Sequence, residues 1–469
     1  MSQARSGHPY MANSTEEAKA RMMSVVGISD VEELFEQIPT DQRTSSPINW
    51  GEPLVSEVQL FRHVSQLLKK NENCEDNVSF LGAGAYRHYV PAIVDSVISR
   101  SEFLTPVWGT PSSDQGRMQV WFEFTSQLGE LLDMEFVGLP VYSYGAAAGH
   151  ALRMAGRLTQ RHKVLIPRST DPERLAVIKT YCGRPELNGY LEIVTVDFDR
   201  ATGTLDLADL ERKLDDSVAA VYLEMPNSFG QLETDVATIT GMARKVGAES
   251  IVGVDPITLG VMAPPSTYGA DIVVGTIQTL GVHLNAGGGV GGFIASRDEE
   301  RYARQFPTLQ VSLVETVVPG EKAFGLTLFE QSSYGARENG NDWTGNGVYL
   351  WAIAAAIYMS AMGPQGMREI GQSVLRRGEY AMQGISSVPG VKVMWTSGGF
   401  REFVVNFDGT SKSVEQINAG LRERGIFGGK NLETDFPELG KSALYCVTEL
   451  HTQSDLDRLV SALQEVVSA

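Results

Sequence analysis

The sequence predicts an α/β fold: a large, mainly parallel sheet covered by helices on both faces, followed by a small C-terminal α+β domain. Three observations lead there. Strand-length segments that are apolar without alternation recur between about Leu139 and Ser296, as a sheet buried on both faces requires. Helical stretches separate them, so successive strands are joined by crossovers and run parallel. Beyond residue 346 a long helical region gives way to short strands and two amphipathic helices, the mark of a separate unit.

Taken in order, Glu16 to Val26 and Val31 to Ile38 have helical apolar spacing, and Ser56 to Lys69 follows a link containing Pro47 and Pro53. Helices this short cannot enclose a core alone. Residues 1–95 therefore read as a helical arm and linker that wraps over the body or over another subunit. The large domain is assigned to 96–345. In it, Lys163 to Pro167 (KVLIP) is a strand, Asp171 to Tyr181 a helix, Leu191 to Phe198 a strand and Asp206 to Leu214 a helix. Val218 to Glu224 (VAAVYLE) is a continuous apolar strand, Val236 to Val246 a helix, and Ile251 to Val254 a strand ending at Asp255. Asp271 to Gly275 and Gly292 to Ser296 complete the run. The third region, 346–469, opens on a helix from Trp351 to about Ser386 with a break near Gly363-Pro364. Its strands are Val391 to Trp395, Phe403 to Phe407 and Tyr445 to Thr448, and its helices Val414 to Arg424 and Ser454 to Val467.

Charge and composition exclude several functions. With 39 Lys+Arg against 57 Asp+Glu the net charge is −18, which disfavours nucleic acid or an anionic membrane as partner. Three scattered cysteines offer neither a disulfide framework nor a zinc knuckle. The histidines lack metal-binding spacing, so no metal site is expected. The N-terminus has no signal-peptide pattern, and the longest apolar stretch, Tyr349 to Met362, is too short for a bilayer. These features describe a cytoplasmic protein.

A large α/β domain with a small α+β domain is shared by several enzyme classes, including pyridoxal-phosphate (PLP) enzymes of fold type I. That resemblance implies a strand-end Asp that keeps the pyridine nitrogen protonated, and a Schiff-base lysine roughly 20–30 residues later. Asp255 fits the first role, and equally fits a cap or turn. The segment 271–295 contains no lysine, and Gln278 stands at the expected position. An amide cannot form an imine, so this chain cannot hold PLP covalently there. Gly287 to Gly292 (GGGVGG) precedes a strand and so lacks the helix of a nucleotide cradle. Ser143 to Gly149 (SYGAAAG), which includes Ser143 and Gly145, opens a helix like a PLP phosphate cup. Its few hydroxyls point instead to close helix packing.

Ser79 to Pro91 (SFLGAGAYRHYVP) delivers Tyr86, Arg87, His88 and Tyr89 together after a Gly-Ala run. The cluster suits the lining of a site, with a titratable imidazole, and equally an aromatic anchor at a subunit contact.

This segment also resembles the signature of the glycine dehydrogenase (decarboxylating) subunit 1 family, the alpha subunit of the split P-protein of the glycine cleavage system. HPYMANS, VEELFEQIP at 31–39, GADIVVG at 269–275, REFVV at 401–405, RGIFGG at 424–429 and YCVTELHT at 445–452 extend the likeness over nearly the whole chain. The resemblance implies fold type I, with PLP held by the lysine of a homologous beta subunit (subunit 2), in an α2β2 assembly. It implies decarboxylation of glycine and transfer of the aminomethyl group to the lipoyl arm of H-protein. Gln278 is compatible with that division of labour. Tyr86, Arg87, His88, Tyr89, Gln115 and Arg337 are then candidates to line a shared site. Ser143, Gly145, Asp255 and Gln278 would outline a vestigial cofactor pocket.

The sequence departs from the family at 105–116, where only the ends are kept, and at 334–346, where a Gly/Asn/Asp/Trp run follows Arg337-Glu338. Two further readings stand beside the first: a diverged subunit of another heteromeric PLP enzyme acting on a small amino acid or amine, and a non-catalytic scaffold.

Overall fold

A computed structural model describes residues 8, 10–44, 48–49, 51–52, 54–104, 111–186, 188–285, 290–327 and 336–468. Residues 105–110 and 334–335 of the two departing segments, Gly287 to Gly289 of the glycine run, and Pro47 and Pro53 of the link lie outside the described residues. The chain divides into two compact units, residues 1–72 and 73–469.

In the first unit, α1 (Glu16–Val26) starts where the Thr15 hydroxyl accepts from Ala18 N and stops at Gly27, whose φ of 83° suits only glycine well. The helix expected over 31–38 is a 3₁₀ turn, Val31–Phe35, pinned by a capping box between Asp30 and Glu33. It ends early because Pro39 cannot continue it. α2 (Glu57–Leu68) follows. Neither helix has a buried residue, and Phe61, Val64, Leu67 and Leu68 are all exposed.

The second unit begins with β1 (Val78–Ser79), then α3 (Ala92–Ile98), α4 (Ser101–Leu104) and α5 (Pro111–Leu132). The sequence reading passed over α5, although Trp121, Phe124, Leu128 and Leu132 recur on one helical face and are buried. Next come β2 (Phe136–Val137), α6 (Tyr144–Thr159), β3 (Lys163–Pro167), α7 (Pro172–Cys182) and β4 (Glu192–Val196). They are followed by α8 (Leu207–Lys213), β5 (Val218–Met225), α9 (Val236–Lys245), β6 (Glu249–Val254), β7 (Ile272–Thr276) and β8 (Gly292–Ser296).

The sheet order is β2-β8-β7-β6-β5-β3-β4. Strands β3 to β7 pair in parallel, while β8 is antiparallel to both β7 and β2. Every residue of β5, β6, β7 and β8 is buried, which is why these strands read as unbroken apolar runs. The crossover helices start on Asp caps: the Asp171 carboxylate accepts from Arg174 N, and Asp206 accepts from Ala208 N and Asp209 N.

After α10 (Glu300–Ala303), β9 (Gln310–Glu315) and β10 (Lys322–Thr327) form an antiparallel hairpin that the sequence reading also missed. Its outer residues are exposed, so it carries no apolar signature. α11 (Tyr349–Ser386) breaks at Gly363, with φ of 60°, immediately before Pro364, as the sequence predicts.

The small domain holds an antiparallel sheet in the order β11-β12-β15-β14: β11 (Lys392–Val393), β12 (Glu402–Asn406), β14 (Lys430–Asn431) and β15 (Ser442–Cys446). Helices α12 (Val414–Arg422) and α13 (Gln453–Ser468) close a core around Phe403, Phe407, Ile417, Leu421, Leu459 and Leu463. β13 (Ile426–Phe427) pairs in parallel with β1, tying the segment leading to Tyr86 to this domain. Phe400 N donates to Gly230 O and Leu232 N to Gly398 O, each at 2.8 Å, so backbone joins the small domain to the large one. Only glycine fits at 230, because a Cβ there would stand 1.8 Å from Glu402 O.

Candidate functional site

Asp255 follows the last residue of β6, the middle strand of the seven, and is 8% exposed. Its Oδ1 accepts from Ile257 N at 3.1 Å and from Thr279 Oγ1 at 3.0 Å. Its Oδ2 accepts from Arg401 Nε at 2.9 Å. Cap and strand-end carboxylate are therefore the same residue. Arg401 enters from the small domain at the head of β12 with φ of 67°, a left-handed backbone rare for a side chain of this size. Its guanidinium lies 4.6 Å from the Tyr86 ring centroid, a cation–π distance, and its Nη1 and Nη2 have no hydrogen-bond partner among the described residues.

Gln278 is wholly buried. Its Oε1 accepts from Tyr86 N at 3.0 Å, and its Nε2 donates to Tyr86 O at 2.8 Å and Val282 O at 3.0 Å. The position expected for a reactive lysine thus holds an amide that clamps the incoming segment. His88 joins the clamp. Gly281 N donates to its Nε2 at 3.3 Å, which leaves the proton on Nδ1, 3.1 Å from Tyr86 O. Burial pushes the His88 pKa down, so the ring is neutral.

The four residues expected as a group split by alternation. Tyr86 and His88 point inward, each 9% exposed, whereas Arg87 and Tyr89 face outward. The Tyr86 hydroxyl donates to Glu402 Oε2 at 2.8 Å, and Ala83 N donates to Oε1. Burial raises the Glu402 carboxyl to about 7, against those two donors, which favour its ionised form. Arg87 and Tyr89, with Cys74, His283 and Leu284, line an open groove of about 340 Å³, and Tyr86 and His88 reach its wall as well. Arg87 meets Glu75 at 3.4 Å, and Tyr89 N donates to Glu449 Oε1 at 2.7 Å.

Behind Asp255 the pocket closes with Tyr144, Arg174 and Glu224. Arg174 Nη1 contacts Glu224 Oε1 at 2.6 Å, Tyr222 donates to the same oxygen at 2.7 Å, and the guanidinium stacks 3.8 Å over Tyr144. Burial raises the Glu224 pKa, with Arg174 opposing. Ser143 caps α6, its Oγ accepting from Ala146 N at 3.1 Å. A Cβ on Gly145 would stand 2.9 Å from Val177 Cβ, so this glycine serves close helix packing.

Two candidates stand elsewhere. The Gln115 amide pairs with both backbone groups of Phe324 in β10, at 3.0 and 3.1 Å. Arg337 is exposed, with φ of 51°, and shares no hydrogen bond with the Tyr86 group. The sequence reading missed Arg401, Glu402, Arg174 and Glu224. An Arg-Glu pair at the head of the apolar strand FVVN, and a lone Glu inside VAAVYLEM, were the available signals, because charges inside buried strands need partners.

A PLP-type cofactor does not fit this pocket. No lysine is among the described residues that line it, the Asp255 carboxylate already has a cation, and the cavity is about 20 Å³. That is water-sized, whereas a cavity that admits benzene measures about 150 Å³. Asp171, Glu224, Asp255 and Glu402 line it against one cation, Arg174, which is already paired with Glu224, a poor setting for a phosphate.

The model of the family described as glycine cleavage system P-protein matches residues 8–463. "Probable glycine dehydrogenase (decarboxylating) subunit 1" of Pyrococcus horikoshii is 36% identical, covering 98% of this chain and 100% of its own. The protein of the same name from Staphylothermus marinus is 34% identical, with 98% of each chain covered. Among solved structures, an inhibitor-bound glycine decarboxylase (P-protein) of the glycine cleavage system superposes with a TM-score of 0.85 and 30% identity, covering 99% of this chain and 100% of that one. The fold is that of type I PLP-dependent enzymes, and the chain belongs to the glycine cleavage system P-protein family.

Proposed function

We propose that this chain is the alpha subunit of a split glycine decarboxylase, inactive alone and acting with a homologous beta subunit. The observation that supports this reading is Gln278, a wholly buried amide at the position where the resemblance expects a Schiff-base lysine. In this assignment PLP sits on the beta subunit's lysine and supplies the electron sink for loss of CO₂ from glycine. The aminomethyl group passes to the lipoyl arm of H-protein, in a cytoplasmic α2β2 assembly. The contribution of this chain is a wall. The groove of Arg87, Tyr89 and His283 offers donors and a ring face toward a shared site, and the Gln278–His88 clamp fixes the backbone that presents them.

The test is reconstitution. The purified chain should show no imine absorbance with PLP and no lysine trapped by borohydride. Mixed with the beta subunit and lipoylated H-protein, it should support glycine-dependent CO₂ exchange. A PLP–lysine adduct on this chain would sink the assignment, and so would a beta subunit equally active without it.

One observation favours a second reading, in which the assembly handles a different small amino acid or amine. Asp342, within the segment that departs from the family, is locked to Arg153 at 2.9 Å and Arg157 at 2.6 Å. The departure is built into the packing. Exchange with another amino acid and none with glycine would select that reading.

A further inference from the structure

We infer that Arg401 is the resident cation of the vestigial pocket, a side chain holding the carboxylate and the space that a cofactor ring would need. The chain is then closed to a ring cation by occupation as well as by its missing lysine. The inference holds whichever small amine the assembly acts on.

Four observations converge. First, Arg401 Nε meets Asp255 Oδ2 at 2.9 Å, with the two side chains 2% and 8% exposed, so each charge is the other's compensation. Second, the guanidinium uses only this one donor in hydrogen bonding. Placement over the Tyr86 and Phe400 rings, at 4.6 and 5.7 Å, marks it as a charge held by faces and by a carboxylate. Third, its backbone lies at φ of 67°. A non-glycine residue tolerates that conformation only where the surroundings impose it; here Val447 N holds the Arg401 carbonyl at 2.7 Å and Asp255 holds its side chain. Fourth, the space left beside Asp255 is about 20 Å³.

An aromatic ring carrying a protonated nitrogen and a guanidinium are both flat cations that donate N–H to a carboxylate. Exchanging one for the other keeps the Asp255 oxygens hydrogen-bonded while removing the chemistry. The small domain supplies the replacement, so the pocket is filled only when the two domains are assembled.

Thermal unfolding of the full chain with Arg401→Gly tests this. Glycine accepts the left-handed backbone, so the variant deletes the cation without straining the chain. R401G should melt below the unmodified protein. Ethylguanidinium at low millimolar concentration should raise its Tm saturably, as a ligand of the native state does. The neutral isostere ethylurea and sodium chloride at equal ionic strength should not, and the unmodified protein should not respond. Adding Asp255→Asn should abolish the rescue. No saturable rescue, or rescue that survives Asp255→Asn, overturns the inference. Should R401G not fold, Asp255→Asn, Arg401→Gln and the double variant form a cycle. The double variant should lose less Tm than the two losses added, and strict additivity overturns the inference.

Discussion

The side-chain amide of Gln278 bonds both backbone groups of Tyr86, accepting from its N–H at 3.0 Å and donating to its carbonyl at 2.8 Å. One side chain thus imitates one rung of a sheet, joining the loop after β7 to the segment between β1 and α3.

Gln278→Leu keeps the volume but removes that rung, leaving Tyr86 N and Val282 O without their partner in a buried site and Tyr86 O with His88 Nδ1 alone. A loss of about 2–4 kcal/mol in unfolding free energy is expected, since each stranded group costs about 1–3 kcal/mol. Chemical denaturation measures it, and a change below about 0.5 kcal/mol would mean that the clamp contributes nothing to stability.

Glu402 gives a pH signature. Its carboxyl is raised to about 7 by burial, above the unfolded value near 4.5. Between those values the native state holds a proton that the unfolded chain has released, so stability falls as pH rises from about 4.5 to 7 and the loss is complete above that. Glu233, also raised to about 7 by burial, acts in the same direction. Glu402→Gln should flatten part of the slope, by on the order of 2 kcal/mol at pH 8, as read by Tm between pH 5 and 8. An unchanged slope would place the titration elsewhere.

Asp342 is shared by Arg153 and Arg157 at 11% exposure, with His150 Nδ1 at 3.9 Å. Asp342→Asn strands two largely buried cations. A loss of about 3–5 kcal/mol is expected, the range for breaking a buried pair, with faster amide exchange across 337–346. Loss of stability without faster exchange there would show that Asp342 stabilises α6 and does not anchor the loop.

The strands of the large sheet were legible because burial on both faces leaves only apolar residues, so KVLIP and GFIAS match their observed bounds. The hairpin Gln310–Glu315 with Lys322–Thr327 was not, because it is held by backbone bonds and its exposed residues follow no pattern. The same contrast applies to the site. Asp255 and Gln278 could be picked out because position along the chain defines them. Arg401 could not: it lies 146 residues from Asp255, and nothing local distinguishes an arginine bound to a distant carboxylate from one facing solvent. Tyr86 to Tyr89 were found as a group, and all four line one groove, but alternation along the backbone buries Tyr86 and His88 and leaves Arg87 and Tyr89 more exposed.

The paired backbone bonds between Gly230 and Phe400 and between Leu232 and Gly398 bear on motion. With the Arg401–Asp255 pair beside them they act as a latch: for the small domain to swing, two inter-domain rungs and one buried ion pair must break together. Such an opening is rare compared with a hinge held by side chains alone. The small domain is therefore held fixed against the large one by backbone and charge together.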